Sequence, residues 1–382
     1  MTLPPTPAEQ PTPAGPEPSR PGATPPGRRF DEALRRLAVP RRLTLRGVLR
    51  GLAAFAATML IFAILIELLG ASFPTAVEAV VDGAFGNEFN FGQTIMIASL
   101  LVATGLAAAI PFRAQLWNVG GEGQMWFGAF ATIALALGLP EDMPSWQAVT
   151  ILVLFAMLGG ALWGLVPGLL KATINANEVI TSLMMTFIAI ELGTWAIDGI
   201  WPQGASNQTE SVPANTIMPN VWEGTLVTVG APLALVAAIV AWVIMNRTKL
   251  GFEIRAVGLN PDAARMNGMS VGKVAIVTFT LGGAFAGLAG AIFILGINSA
   301  LPAGFSLNNF GYLGIAVALV ARLNPAWMIP SAILFAGLRV GSDGLQAATG
   351  LSTTVGQILV GVFVILLLAF GLIRFSYPEA VR

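Results

Sequence analysis

Asn118, Glu122 and Gln124 fall within one seven-residue segment, Asn118-Val119-Gly120-Gly121-Glu122-Gly123-Gln124, flanked on both sides by apolar sequence. Two amides and a carboxylate can offer donors and acceptors to hydroxyls or to the edge of a ring heterocycle, and Trp117 or Trp126 can stack on a ring. The competing reading is local: Glu122 caps a helix or pairs with Arg113. A second polar, Gly-containing place follows at Asn308, Asn309, Gly311 and Gly314, with a break from Arg322 to Pro325. Unwound backbone between apolar runs is tolerated at membrane depth only inside protein or beside water, and paired interruptions in two halves of a chain point to a transport path. Asn118, Glu122, Gln124, Trp126, Asn308 and Asn309 are therefore candidate path residues for a neutral, hydroxyl-rich solute.

Covalent and metal chemistry has little to work with. The chain has no Cys and no His, which removes thiolate nucleophiles, disulfides, the commonest metal ligand and the commonest general base. No Ser or Asp stands beside an obvious base, so an intramembrane enzyme is disfavoured, and no cofactor is expected. Gly268 to Lys273 ends in Gly-Lys, but the spacing is one residue short and Val274 stands where a phosphate loop needs Ser or Thr. ATP, if used, must be hydrolysed by another subunit.

The basic loop 246–273 is punctuated like a built element. Asn260 suits an N-cap, Pro261 the first helical position, Asp262 the positive end of the dipole, and Gly268 the stop, predicting a helix of about two turns. Arg255 and Arg265 flank it, and Ala263 and Ala264 would leave it slim enough for a partner's groove. Further back, Lys171, Asn177 and Glu178 precede an apolar run, where Glu178 is either a helix-end residue or a coupling contact. Arg339 and Asp343, four apart, read as a local pair.

These residues need a membrane scaffold. Of 382 residues, 55% are hydrophobic and 10% charged, with a mean hydropathy of +0.76, far from a soluble domain. About ten apolar runs follow one another, at 52–70, 91–112, 124–139, 148–170, 179–201, 225–245, 274–299, 312–321, 327–340 and 355–375. The ninth and the one before it are expected to be short pieces, because Arg322, Asn324 and Pro325 interrupt them. Residues 71–90 suggest an interfacial helix. The expected fold class is all-α, a polytopic helical bundle with both termini cytoplasmic. That orientation leaves all but Arg339 of the 20 basic residues on cytoplasmic segments. Residues 1–46 form a Pro/Arg-rich tail expected to be disordered, 47–376 the membrane domain, and 377–382 a short cytoplasmic end. Zero net charge gives no reason to expect nucleic acid as a partner. Small residues at spacing four, Gly160, Gly164 and Gly168, then Gly283 and Gly287, predict close helix contacts within the chain or against a second membrane chain.

Asp262-Ala263-Ala264, three further residues and then Gly268 resembles the opening of the EAA loop by which permeases of ATP-binding-cassette importers dock their ATPases, with Asp in place of Glu. The wider block from Thr248 to Gly268 is similar to the permeases for simple sugars and nucleosides, the group that includes ribose and branched-chain amino-acid permeases. Three further blocks resemble the nucleoside-type branch: Asn118 to Gln124, Lys171 through Asn177-Glu178-Val179 to Thr181, and Gly314 to Leu319. Val320-Ala321 departs from the Leu-Gly expected there. The resemblance implies the permease subunit of an ATP-driven importer in a bacterial or archaeal cell membrane, with a nucleoside, simple sugar or riboflavin-like cargo. It implies three partners: a separate ATPase, a second homologous permease (identical or not) and an extracytoplasmic substrate-binding protein. It also makes Arg255, Asn260, Asp262, Ala263, Ala264 and Gly268 the ATPase-coupling set. An ion-coupled secondary transporter is the alternative; it would want a chain of buried carboxylates, whereas Glu122, Glu178 and Glu191 are scattered.

Overall fold

A computed structural model describes residues 45–201, 208–302 and 309–369. The expected N-terminal tail and C-terminal end, like Asn308, lie outside these residues apart from the first turn of the first helix. Thirteen α-helices form among the described residues and no strand does; two isolated bridges, Gln208 with Pro302 and Asn220 with Thr228, join loops. In chain order the helices are α1 (Leu45–Leu68), α2 (Phe73–Phe85), α3 (Glu88–Arg113), α4 (Gly121–Ala136), α5 (Ser145–Ile174), α6 (Glu178–Gly199), α7 (Gly230–Arg247), α8 (Lys249–Leu259), α9 (Pro261–Met266), α10 (Val271–Phe293), α11 (Phe310–Val320), α12 (Pro325–Thr349) and α13 (Thr354–Ala369).

By length and composition five of these can cross a membrane: α3, α5, α6, α7, and α10 together with the π-helical turn Ile294–Asn298 that continues it. A sixth crossing results if α1 from Leu52 and α2 count as one span; their axes differ by 112°. Glu67 sits at that corner, where its Oε1 accepts from the Phe73 amide at 3.0 Å and so caps α2. The segment expected to be interfacial is thus the helix α2, which lies along α12 with Gly83 against Gly344.

Helix α3 is the axis of the bundle, its membrane-length stretch 89% buried. Helices α5 and α10 cross beside it at the small-residue stripes. A Cβ at Gly160 would overlap the Gly283 carbonyl oxygen, one at Gly283 the Gly160 oxygen, and one at Gly287 the Ala156 oxygen. The stripes are spent inside the chain, where absent side chains let backbones close without a hydrophobic drive from lipid.

The expectation of two short pieces between 312 and 340 needs correction. Helix α11 is short, 11 residues, but α12 runs 25 residues from Pro325 to Thr349. Asn324 starts it by accepting from the Ala326 amide at 3.1 Å, and Gly350 ends it in the left-handed region at φ +73°. Past its apolar part, Arg339 and Asp343 pair one turn apart along it.

Candidate functional site

Two half-length helices meet head to head. Residues 114–120 leave the end of α3 without helical structure, and α4 then begins at Gly121. The amino terminus of α11 abuts it so tightly that a Cβ at Gly311 would overlap the Glu122 backbone nitrogen. Only glycine permits that approach. Glu122 Oε2 accepts from the Gly311 amide at 2.6 Å, which satisfies one of the donors that a helix start leaves open. The capping alternative for Glu122 is therefore realised on a helix 189 positions away in sequence. Pairing with Arg113 is not: Arg113 Nε donates to the Leu323 carbonyl at 2.8 Å.

Asn118 and Gln124 exchange amide hydrogen bonds, Asn118 Nδ2 to Gln124 Oε1 at 3.0 Å and Gln124 Nε2 to Asn118 Oδ1 at 3.1 Å. Asn118 Nδ2 also donates to the Ala107 carbonyl, and its Oδ1 accepts from the Gly120 amide. All three polar residues are buried, their partners coming from one another and from backbone. Trp126 is buried with its ring against Gly193, and its Nε1 has no hydrogen-bond partner among the described residues. Asn309 is exposed and left-handed at φ +59°, immediately before α11.

The concave site lies next to this junction. Phe310, the first residue of α11, is one wall of a cavity of about 310 Å³, at the small end of ligand-sized pockets. Phe293 faces it, the two ring centroids 6.3 Å apart. Gln93, Gln208 and Asn298 contribute amides to the lining, and Arg339 and Asp343 the charges. Local structure explains each placement. Gln93 rides on the second turn of α3, and Asn298 closes the π-helical turn, a distortion frequent at functional sites. Gln208 is held because its loop pairs with the stretch after α10: the Thr209 amide donates to Leu301 O at 3.0 Å, and the Val212 amide to Ser299 O at 2.8 Å. Arg339 Nη1 lies 3.3 Å from Asp343 Oδ1. The local pair is real, and it also lines the cavity.

The sequence reading missed this cavity. Its residues come from α3, α10 with the π-helical turn after it, α11, α12 and two loops, and no spacing connects them. Two signals existed: Gln93 is an amide inside an apolar run, and Arg339 is the exception to the basic-residue distribution.

The coupling candidates occupy the other end of the same helices. Gln93 and Arg113 are 20 positions apart on α3, or about 30 Å. At the Arg113 end, Gly258 of α8 packs onto the Arg113 carbonyl. Asn260 caps α9 by accepting from the amides of Asp262 and Ala263, both at 3.0 Å. Helix α9 has six residues, and Gly268 follows at φ +78°. Asp262 and Arg265 pair at 2.7 Å on its exposed side, and Met266 is 90% exposed. Ala264, expected on a slim outer face, is instead 0% exposed and turned inward. Helical periodicity forces this, since Ala264 and Met266 two positions apart point to different sides. Arg255 is partly buried on α8, where it donates to the Met245 carbonyl, and burial pulls its pKa below the ordinary guanidinium value. The hairpin between α5 and α6 lies at this end too, Gly272 packing beside Ala172. There Asn177 caps α6, accepting from the amides of Val179 and Ile180, and Lys171 pairs with Glu178 at 3.0 Å.

A bundle of apolar helices with two half-helices, a polar cavity at one end and a capped surface helix at the other is an arrangement found in membrane transport proteins. The chain belongs to the family described as the branched-chain amino acid transport system / permease component, whose model matches residues 90–368. It is similar to the guanosine ABC transporter permease protein NupP of Bacillus subtilis (strain 168), at 32% identity over 86% of this chain and 93% of the relative. It is similar as well to the nucleoside ABC transporter permease protein NupB of Lactococcus lactis subsp. cremoris (strain MG1363), at 28% identity over 79% of this chain and 85% of the relative. The glucose ABC transporter permease protein TsgB13 of Haloferax volcanii matches at 32% identity over 74% of this chain and 77% of the relative.

Proposed function

We propose that this chain is the permease subunit of an ATP-driven nucleoside importer, and that the cavity between Phe293, Phe310, Gln93 and Asn298 receives the cargo. The observation that carries the reading is the cavity's chemistry: two aromatic rings for a base and several amides for its edge and for ribose hydroxyls. The similarity to guanosine and nucleoside permeases over most of their length supports the same cargo class. Glu122 serves the path by fixing the start of α11, and so Phe310, and Asn118 and Gln124 by fixing the segment before α4; Trp126 and Asn309 flank that junction, and Asn308, outside the described residues, is kept as a path candidate.

Helix α9, presented by Asn260 and Gly268, is the ATPase-docking element, with Asp262, Arg265 and Met266 as its outward surface. Arg255, Ala263 and Ala264 support it from beneath, and the Lys171, Asn177 and Glu178 hairpin adjoins it on the same side. In this reading the loop 246–273 and both termini are cytoplasmic. Each of the ten apolar runs lies largely on one helix, which supports ten membrane segments within 47–376, between a tail at 1–46 and the end at 377–382. The partners are a separate ATPase, a second permease chain and an extracytoplasmic binding protein, in a bacterial or archaeal cell membrane.

Uptake by the complex reconstituted in proteoliposomes tests the cargo. ATP-dependent accumulation of labelled guanosine that unlabelled nucleosides suppress, and glucose does not, is the expected result. Accumulation of glucose in place of guanosine would move the cargo to simple sugars, the reading that the Haloferax relative favours.

A further inference from the structure

The cavity contains one cation and one anion among its described lining residues, and they are bonded to each other. Arg339 lies one helical turn before Asp343 on α12, Nη1 to Oδ1 at 3.3 Å, with the Asp343 side chain 52% exposed and the Arg339 side chain 21%. Asp343 therefore stands at the solvent side of the pocket and Arg339 deeper. An ion pair of two surface-like residues on one helix is ordinarily a weak stabiliser. Here it has another effect, because a guanidinium lining a small cavity would otherwise be a ready site for phosphate.

We propose that Asp343 makes the cavity selective for uncharged solutes by neutralising Arg339, so that the site takes a nucleoside and rejects its phosphate monoester. The inference rests on the cavity being the cargo site. With both charges present the pocket has no net charge, and a phosphate dianion arriving from solvent meets the carboxylate first. Removing that carboxylate leaves a net charge of +1 and five guanidinium donors, so electrostatics alone then favours the monoester. The amides of Gln93 and Asn298 line the same cavity and remain as donors and acceptors for the uncharged cargo after the change.

Binding of tritiated guanosine to the purified full chain measures this without the selecting influence of an external receptor. Guanosine 5′-monophosphate serves as competitor and inorganic phosphate as control. In the parent chain the monophosphate should displace guanosine poorly. In Asp343→Asn the ratio of monophosphate affinity to guanosine affinity should rise at least about tenfold over the parent, whatever change guanosine affinity itself shows. Asp343→Ser provides a second, smaller replacement, and Arg339→Gln combined with Asp343→Asn should return competition to the parental level. A structural role for the pair would change both ligands alike. Unchanged monophosphate competition in either single variant that binds guanosine overturns the proposal. Absence of guanosine binding in the parent chain is a different result, seen before any substitution, and overturns the cargo assignment beneath it.

Discussion

Glu122 is a carboxylate whose work in this structure is done on backbone. Its hydrogen bond to the Gly311 amide closes the start of a half-helix in the middle of the bundle, where no water would satisfy that donor. Glu122→Ala should lower stability by about 1–3 kcal/mol, the cost of an orphaned buried amide, and should depress nucleoside uptake through the displaced Phe310. Glu122→Gln keeps an acceptor oxygen in the same place and should stay close to the parent in both. Unfolding midpoints in detergent together with proteoliposome uptake check the order; a glutamine variant as damaged as the alanine one would mean that charge, not capping, matters. The polar segment was visible in the sequence because polar residues among apolar ones stand out. Its partner was not, since the acceptor and donor are 189 residues apart and only the packed fold joins them.

At the level of elements, α9 was the most legible part of the chain, and the reason is locality. An Asn cap, a Pro at the first position and a Gly stop act within a few residues, and the structure forms each of them. Which side of so short a helix faces outward depends on what lies underneath, and there the sequence misled: Ala264 is buried and Met266 is exposed. Met266→Asp should leave the bundle as stable as the parent while reducing copurified ATPase several-fold, because the side chain touches only solvent until the ATPase arrives. Ala264→Trp should damage α9 itself, since a buried methyl site has no room for an indole. Ratios of ATPase to permease after affinity purification decide it; a Met266→Asp complex of normal composition would place the docking surface elsewhere. The extent of α12 was also misjudged, because the apolar run stops at Val340 whereas the helix continues with polar residues to Thr349.

For the whole molecule, composition and apolar runs sufficed for an all-helical membrane protein, and the small-residue stripes for tight crossings. The cavity required tertiary structure, because the Gln208 loop reaches it only by pairing with residues 299–301. The proposed orientation has a direct check in a chain without cysteine. Single replacements at Glu223, in an exposed loop at the cavity end, and at Asn260, which caps α9, should behave oppositely toward an impermeant thiol reagent applied outside cells. Glu223→Cys should label on intact cells and Asn260→Cys only after permeabilisation. The reverse pattern would invert the topology and, with it, the direction of transport.

Helix α3 touches the coupling candidates through Arg113 and lines the cavity through Gln93, about 30 Å apart on one continuous helix of 26 residues. A rod of fixed length, gripped along most of its surface, can tilt but cannot shorten. A tilt of the intact helix therefore involves both Arg113 and Gln93. The head-to-head junction of α4 and α11 beside it is the natural fulcrum, since two helices end there and the backbone is free of through-going hydrogen bonds. The consequence is mechanical: the cavity and the surface around Arg113 are joined as two ends of one rod.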